Sequence, residues 1–97
     1  MATGKNNNIP KDYLFFVPER NSGRKFLVDS GACISVFPAS AHDRRSGMPG
    51  KSLRAANGST IKTFGTRAIP LQLPLGSFVW DFVIADVREP LLGADFL

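Results

Sequence analysis

Hydrophobic residues along the chain occur in short runs, and most of these runs are separated by glycine, proline or asparagine. This pattern is typical of an all-β domain whose strands are joined by tight turns. The first two runs, at residues 13–17 and 25–28, flank a turn-forming segment at 18–23, so we expect a hairpin there. A third apolar run, at residues 34–37, predicts another strand.

The middle of the chain contains one polar segment and one strong turn signal. Residues 38–50 are polar and rich in serine, glycine and proline, which predicts a long surface loop that includes His42. Residues 51–66 contain two short runs that meet at Asn57 and Gly58. Asn-Gly tolerates the positive φ angles that both central residues of a type I′ turn require, so we expect a hairpin with these two residues at its tip.

Two longer strands are predicted in the last third of the chain. Aliphatic residues alternate there and share one face of a strand at residues 68–75: Ile69, Leu71, Leu73 and Leu75. A turn at Gly76 and Ser77 then leads into the most apolar run, residues 78–87. We expect these two strands to pair.

Length and composition limit what the chain can be. It has 97 residues, of which 43% are hydrophobic, and its formal net charge is +4. That size fits one small domain, which we assign to residues 12–97, after a flexible polar leader at residues 1–11. The longest uncharged run falls short of the roughly 18 apolar residues that a membrane-spanning helix needs, so no membrane partner is expected. The single cysteine, Cys33, excludes an intramolecular disulfide and suits a reducing, cytoplasmic compartment.

The positive charge does not indicate a nucleic-acid site. The basic residues are scattered, and aromatic residues do not alternate with them as they would on a platform for single strands. His42 has no second histidine or cysteine close by, which favours a solvated side chain over a metal ligand or a general base. We therefore expect neither nucleic acid, nor a metal, nor another cofactor.

One segment joins a carboxylate to an apolar strand. Residues 26–32 are Phe-Leu-Val-Asp-Ser-Gly-Ala, so Asp29 ends the strand and is followed by a hydroxyl and a glycine. An ionised aspartate is costly to place against a core. An isolated Asp-Ser-Gly is explained by an aspartate that opens a turn, and this alternative stays open beside a catalytic role. The apolar strand that follows directly and the hairpin tip of small residues downstream favour the catalytic role.

Three motifs together resemble the retropepsin family, the aspartic proteases of retroviruses and LTR retrotransposons, and most closely the Ty3/gypsy-type element proteases. The motifs are residues 26–32 (FLVDSGA), 53–65 (LRAANGSTIKTFG) and 83–97 (VIADVREPLLGADFL). Asp-Ser-Gly-Ala alone is a weak signal, whereas its combination with Leu-Leu-Gly-Ala-Asp about 60 residues later is specific. The resemblance implies an all-β, retropepsin-like acid protease half-barrel with a flap hairpin and one short C-terminal helix that begins at Gly93.

The resemblance also implies an aspartic endopeptidase in which Asp29 is the catalytic carboxylate. Because the chain has one such motif, the domain would form a homodimer in which two copies of Asp29 face each other. The pair would share a proton, activate a water and protonate the departing amine, without a metal or a covalent intermediate. The implied substrate is an extended peptide segment, naturally that of a retroelement polyprotein inside a retroelement particle.

Further roles follow from the same resemblance. Ser30 would hold the two active-site loops in register. Gly31 would let the substrate backbone approach closely, and Ala32 completes that loop. The flap that closes over the substrate would consist of Ala55, Ala56, Asn57, Gly58 and Ser59. Apolar pocket walls are expected at Leu27, Val36 and Leu91.

Other aspartates are alternatives for the second carboxylate of a site within one chain. We expect Asp81 and Asp86 to face solvent or to turn the chain, and Asp95 to bind the backbone of the local helix. The homodimer therefore remains the preferred source of the second carboxylate.

The chain departs from the family pattern at three places. Cys33 stands where many members have an acidic residue or an amide that helps to hold the substrate, and we interpret it as a small apolar filler. Ala94 stands where retroviral members often carry an arginine. The C-terminal dimer segment of the family is expected to be missing after Leu97. These departures keep open an alternative function: a catalytically inactive or truncated retropepsin-fold domain that acts as a peptide-binding or protein-binding module.

Overall fold

The computed structural model, which describes residues 15–46, 52–55 and 57–97, contains a six-stranded mixed sheet and a separate two-stranded hairpin. The strands are β1 (Phe15–Glu19), β2 (Arg24–Val28), β3 (Val36–Pro38), β4 (Leu53–Arg54), β5 (Thr60–Ile61), β6 (Thr63–Leu73), β7 (Gly76–Ala85) and β8 (Leu91–Leu92). One short helix, α1 (Ala41–Ser46), lies between β3 and β4. The predicted all-β class is confirmed.

The order of the strands in the sheet places the C-terminal strand between two early ones. The order is β1-β2-β8-β3-β7-β6. β8 pairs in parallel with β2, with Val28 beside Leu92, and antiparallel with β3. This insertion brings the residues that follow β2, beginning with Asp29, next to those that follow β8, beginning with Gly93.

Hydrogen bonds join the two edge strands, β1 and β6, so that the sheet curves back on itself. The backbone amide of Arg20 donates to the carbonyl of Gln72 at 3.0 Å. The backbone amide of Gln72 in turn donates to the Glu19 carboxylate at 2.6 Å, and the Asn21 side chain donates to the carbonyl of Pro70 at 3.1 Å. The sheet therefore has the curvature of the predicted half-barrel.

Glu19 is a buried carboxylate, only 2% exposed, whose oxygens are occupied by hydrogen bonds. Besides Gln72, its donors are the backbone amides of Asn21 (2.9 Å) and Ser22 (2.7 Å) and the Ser22 hydroxyl (2.7 Å). Burial raises the pKa of Glu19, but the hydrogen bonds outweigh it and hold the pKa below its ordinary value. The segment 18–23, for which the sequence predicts only a turn, thus also connects the edges of the sheet.

Three phenylalanines form the centre of the core. The rings of Phe26, Phe37 and Phe82 contact one another, with centroids 5.9 to 6.0 Å apart. Buried leucines complete this cluster: Leu71, Leu73 and Leu92. The alternation of aliphatic residues predicted for the sixth strand therefore does supply the core, up to Leu73.

The β6–β7 hairpin turns earlier than predicted, although its predicted pairing is confirmed. Leu73 pairs with Gly76, so Pro74 and Leu75 form the turn and Gly76 already belongs to β7. Proline cannot donate a ladder hydrogen bond and is readily accepted in a turn. Leu75 is consequently 88% exposed, and the prediction that it shares one strand face with Ile69, Leu71 and Leu73 is wrong.

The polar segment 38–50 contains a helix, so the prediction of an uninterrupted loop is wrong. Ser40 and Asp43 cap α1 reciprocally: the Asp43 amide donates to Ser40 Oγ (3.1 Å), and the Ser40 amide donates to Asp43 Oδ2 (2.8 Å). The Ser40 amide, together with an ion pair to Arg67, holds the pKa of Asp43 below its ordinary value. The Ser-x-x-Asp spacing was the local signal for this helix start.

The residues after β8 form a turn instead of the predicted C-terminal helix. The carbonyl of Gly93 accepts hydrogen bonds from the backbone amides of Phe96 (3.1 Å) and Leu97 (3.3 Å). The Phe96 ring packs against Trp80 with 5.3 Å between centroids, which anchors this turn to β7. Within the described part of the chain, the short helix of the fold is α1.

The β4–β5 hairpin forms as predicted, but its turn is one residue longer. Ala55 donates its backbone amide to the carbonyl of Ser59 (2.8 Å), and the Gly58 amide donates to the carbonyl of Ala55 (2.9 Å). Ala55 and Ser59 are therefore the bonded pair nearest the tip, and Gly58 adopts φ +89° next to Ser59. The two-residue turn expected at Asn57 and Gly58 is wrong in length, while Gly58 does take the positive φ.

Some predictions concern residues outside the described ranges: the leader at 1–11, the start of the first predicted strand and Ala56. Within the described ranges, no helix has the length and apolar character required to cross a bilayer. The same residues contain no group of three or more histidine, cysteine or acidic side chains arranged to hold a metal ion.

Candidate active site

Asp29 is the first residue after β2, and its backbone is anchored to the inserted strand β8. Its amide donates to the carbonyl of Leu92 at 3.0 Å. The Gly31 amide donates to Asp29 Oδ1 (3.0 Å) and the Ala32 amide donates to the Asp29 carbonyl (3.1 Å). Asp29 therefore opens a turn, as the simpler interpretation predicted, but the residue itself stays exposed.

A groove of about 500 Å³ lies between this turn and the β4–β5 hairpin. We call residues 29–35, which connect β2 to β3, the Asp29 loop. The groove is lined by Asp29, Gly31, Ala32, Cys33 and Ile34 of that loop, by Val36 of β3, by Leu53, Arg54, Ala55 and Ile61 of the hairpin, and by Val87 and Leu91. A carboxylate is thus placed in a mostly apolar groove between two backbone segments, which suits an extended ligand.

The Asp29 loop lies directly against the backbone that follows β8. The Ala94 amide donates to the carbonyl of Ala32 at 2.7 Å. A Cβ on Gly93 would lie 2.6 Å from the carbonyl oxygen of Ile34 and 2.9 Å from that of Ala32. Only glycine fits at this position without moving the loop.

A polar network fixes the end of the Asp29 loop. Ser35, which is 1% exposed, accepts a hydrogen bond from the Gly93 amide (3.0 Å) and donates to Asp95 Oδ1 (2.7 Å). The indole Nε1 of Trp80 donates to Asp95 Oδ2 at 3.1 Å. Burial raises the pKa of Asp95, but the bonds from Ser35 and Trp80 outweigh it, so its pKa is below the ordinary value. Asp95 thus connects three separate parts of the fold, beyond the local backbone role expected for it.

The residues predicted for the site are brought together only in part. Asp29, Gly31, Ala32, Ala55, Val36 and Leu91 line the groove. Ser30 is exposed in the same turn but does not line the groove, and neither does Leu27. Asn57, Gly58 and Ser59 form the exposed tip of the hairpin, where Asn57 Oδ1 accepts bonds from the Ser59 amide (3.0 Å) and hydroxyl (2.7 Å).

Several lining residues were missed from the sequence: Ile34, Leu53, Arg54, Ile61 and Val87. Leu53 and Ile61 are cross-strand partners in the hairpin, so period-two alternation outward from its turn would have found them. Val87 carries no local signal, because it reaches the groove only through the turn after β7. Cys33 is exposed and lines the groove, which corrects its interpretation as a filler.

Comparison with known proteins identifies the fold. No protein-family model and no curated protein sequence matches the chain. Among solved structures, the chain is similar to EIAV protease complexed with the inhibitor HBY-793, with a TM-score of 0.62 and 23% sequence identity. The match covers 99% of this chain and 91% of the other. The chain therefore has the fold of a retroviral protease, as the predicted fold class required.

Proposed function

We propose that this chain is an aspartic endopeptidase, with Asp29 from each subunit of a homodimer forming the catalytic pair. The observation that carries the proposal is the exposed carboxylate of Asp29 in a largely apolar groove, on a fold shared with a retroviral protease. The groove and the hairpin above it suit an extended peptide, and their aliphatic lining favours apolar side chains at the cut site.

The charges around the groove support a second chain as the source of the other carboxylate. Among the described residues that line it, Asp29 is the sole carboxylate. Asp86 pairs with Arg44, while Asp95 is bonded to Ser35 and Trp80. Neither is available as the partner of Asp29 in the same chain. A two-fold axis that brings a second Asp29 opposite the first would supply the missing carboxylate.

Two facing Asp29 carboxylates would carry out the chemistry as a coupled pair. Ionising both is costly, so the pair shares one proton and its pKa values belong to the pair. The unprotonated member takes a proton from the attacking water, and the other protonates the leaving amine. The Gly31 amide, which donates to Asp29 Oδ1, orients each carboxylate.

The natural substrate we propose is the polyprotein of a retroelement, cut in the cytoplasm within the element's particle. The support for this part of the proposal is the set of Ty3/gypsy-like motifs, FLVDSGA and LLGADFL above all. The β4–β5 hairpin would act as the flap, because its two strands pair with each other and not with the main sheet.

The test is the initial rate of cleavage of an apolar peptide library at mildly acidic pH, measured over a range of protein concentrations. For a dimeric site, the rate per chain rises with concentration and then saturates. Asp29→Asn removes the acid–base group and is expected to lower the rate by roughly 10²- to 10⁴-fold. Asp81→Asn, which changes an exposed aspartate of β7 outside the groove, is the matched control and keeps the rate.

Two outcomes would contradict the proposal. Equal rates for Asp29→Asn and the parent would exclude Asp29 as the catalytic group. Peptide binding without cleavage at any concentration would instead favour the inactive binding module.

A further inference from the structure

Arg54 is, with Asp29, one of the two charged residues among the described ones that line the groove. It ends β4, next to the turn of the hairpin. The other lining residues are aliphatic or small, apart from the thiol of Cys33. The groove therefore combines a carboxylate in the Asp29 loop with a cation on the hairpin.

The Arg54 guanidinium has no acidic partner among the described residues, whereas two other arginines do. Arg44 forms an ion pair with Asp86, and Arg67 forms one with Asp43. Arg54 donates from Nη1 to the carbonyl of Gly58 at the hairpin tip, and this hydrogen bond is long, at 3.4 Å. Its remaining donors are thus available to a ligand.

The register of the hairpin places Arg54 at the edge of the groove. Its cross-strand partner is Thr60, which is exposed and does not line the groove, whereas Leu53 and Ile61 form a lining pair. Successive side chains of a strand point to opposite faces, so the Arg54 side chain leaves β4 on the face opposite to Leu53. Arg54 nevertheless lines the groove, so it borders the groove at the rim. If a peptide lay along the groove, a residue that flanks the cut bond would lie next to Arg54.

We propose that Arg54 selects peptide substrates that carry an acidic side chain flanking an apolar cut site. This inference rests on the proposed function, because it assumes that a peptide occupies the groove. A guanidinium binds a carboxylate with two parallel hydrogen bonds, and apolar surroundings screen the attraction less than open water does. In a homodimer the second Arg54 would favour an acidic residue on the other side of the cut as well.

The experiment compares peptides of one apolar sequence in which single flanking positions carry glutamate or glutamine. At one flanking position or a symmetric pair, glutamate is expected to raise kcat/KM about two- to fivefold over glutamine, the range for a partly exposed ion pair. The ratio of kcat/KM for the glutamate peptide to that for the glutamine peptide should fall towards one at high salt. It should also fall towards one in Arg54→Met, which keeps the alkyl stem, and persist in Arg54→Lys. Arg20→Met, which removes an exposed cation outside the groove, is the control that keeps the ratio.

Binding measurements separate the failure of this inference from the failure of the proposed function. Fluorescently labelled glutamate and glutamine peptides are titrated with Asp29→Asn, alone and combined with Arg54→Met, and anisotropy is read. A glutamate preference that depends on Arg54 supports the inference even if no peptide is cleaved. Equal affinities and equal cleavage of the two peptides at every position overturn it, while cleavage that requires Asp29 still upholds the peptidase.

Discussion

The residues that shape the candidate site act mainly through close backbone contacts. Gly93 is an example: the sequence predicts that it begins a helix, whereas in the structure it lies against the Asp29 loop. Its amide donates to Ser35 Oγ, and the space for a Cβ is filled by the carbonyls of Ala32 and Ile34. The position of Asp29 therefore depends on a residue more than 60 positions away along the chain.

Replacing Gly93 by alanine tests this contact. Because a Cβ would lie 2.6 Å from a backbone oxygen, the loop must shift, and we expect the free energy of unfolding to fall by about 2 to 3 kcal/mol. Urea unfolding followed by the emission of Trp80 measures the change. Ala94→Ser, at the next and exposed residue, is the control and should stay within about 0.5 kcal/mol of the parent. A Gly93→Ala protein as stable as this control would show that the loop yields freely.

At the scale of elements, the two hairpins β1–β2 and β4–β5 differ in how they are supported. Each hairpin contains a turn glycine at positive φ, Gly23 at +70° and Gly58 at +89°. A Cβ added to either glycine would have no atom within 4 Å. The β1–β2 hairpin belongs to the six-stranded sheet, whereas β4 and β5 pair only with each other among the described strands. Strain introduced at the turn glycine should therefore lower the stability of the whole domain in the β1–β2 hairpin. In the β4–β5 hairpin it should lower only the stability of the hairpin itself.

Alanine at each glycine tests that difference. An L-residue in the left-handed region costs roughly 1 to 2 kcal/mol, so Gly23→Ala should lower the free energy of global unfolding by about that amount. Gly58→Ala should leave global unfolding nearly unchanged and increase local opening of the hairpin. The measurement is amide hydrogen exchange at Ala55, whose amide donates to the carbonyl of Ser59. Unchanged exchange at Ala55 together with a global loss would show that the hairpin unfolds with the sheet.

Across the whole molecule, three carboxylates hold distant parts of the fold together. Glu19 joins the edges of the sheet, Asp43 caps α1 and pairs with Arg67 near the start of β6, and Asp95 joins the Asp29 loop to β7. All three have pKa values below their ordinary 4.5, 3.8 and 3.8, because hydrogen bonds favour their ionised forms.

These shifts predict acid destabilisation. The stability from each carboxylate is fully present above its ordinary pKa and is lost as pH falls through the lower pKa of the folded state, because the unfolded chain binds the proton more readily. Stability should thus be level near pH 6 and decline below about pH 4.5, as measured by urea unfolding at a series of pH values.

Glu19→Gln tests the most buried of the three carboxylates, since Glu19 is only 2% exposed. Glutamine leaves donors around Glu19 unpaired, so we expect a loss of about 1 to 3 kcal/mol near pH 6 and a shallower decline below pH 4.5. Glu89→Gln, at an exposed glutamate, is the matched control. A Glu19→Gln protein with the same acid decline as the parent would assign the decline to other groups.

Predictions succeeded where the signal was local. The β1–β2 and β6–β7 hairpins and the turn that begins at Asp29 follow from alternation and turn residues over a few positions. Two predictions were wrong although a local signal was present. Pro74 indicated the β6–β7 turn, but the Gly-Ser pair that follows was preferred. The Ser-x-x-Asp spacing indicated the start of α1, but the overall polarity of the segment favoured a loop. Val87 and Arg54 reached the groove without any local signal.

The sequence by itself thus determined the all-β class, the main hairpins and the position of a carboxylate, Asp29, that follows an apolar strand and opens a glycine-containing turn. Only the tertiary structure decided that β8 enters between β2 and β3, that Glu19 closes the sheet, and that Cys33 and Arg54 line the groove with Asp29. The physical reason is that alternation and turn chemistry depend on neighbouring residues, whereas strand insertion, carboxylate networks and grooves depend on contacts between residues far apart in the chain.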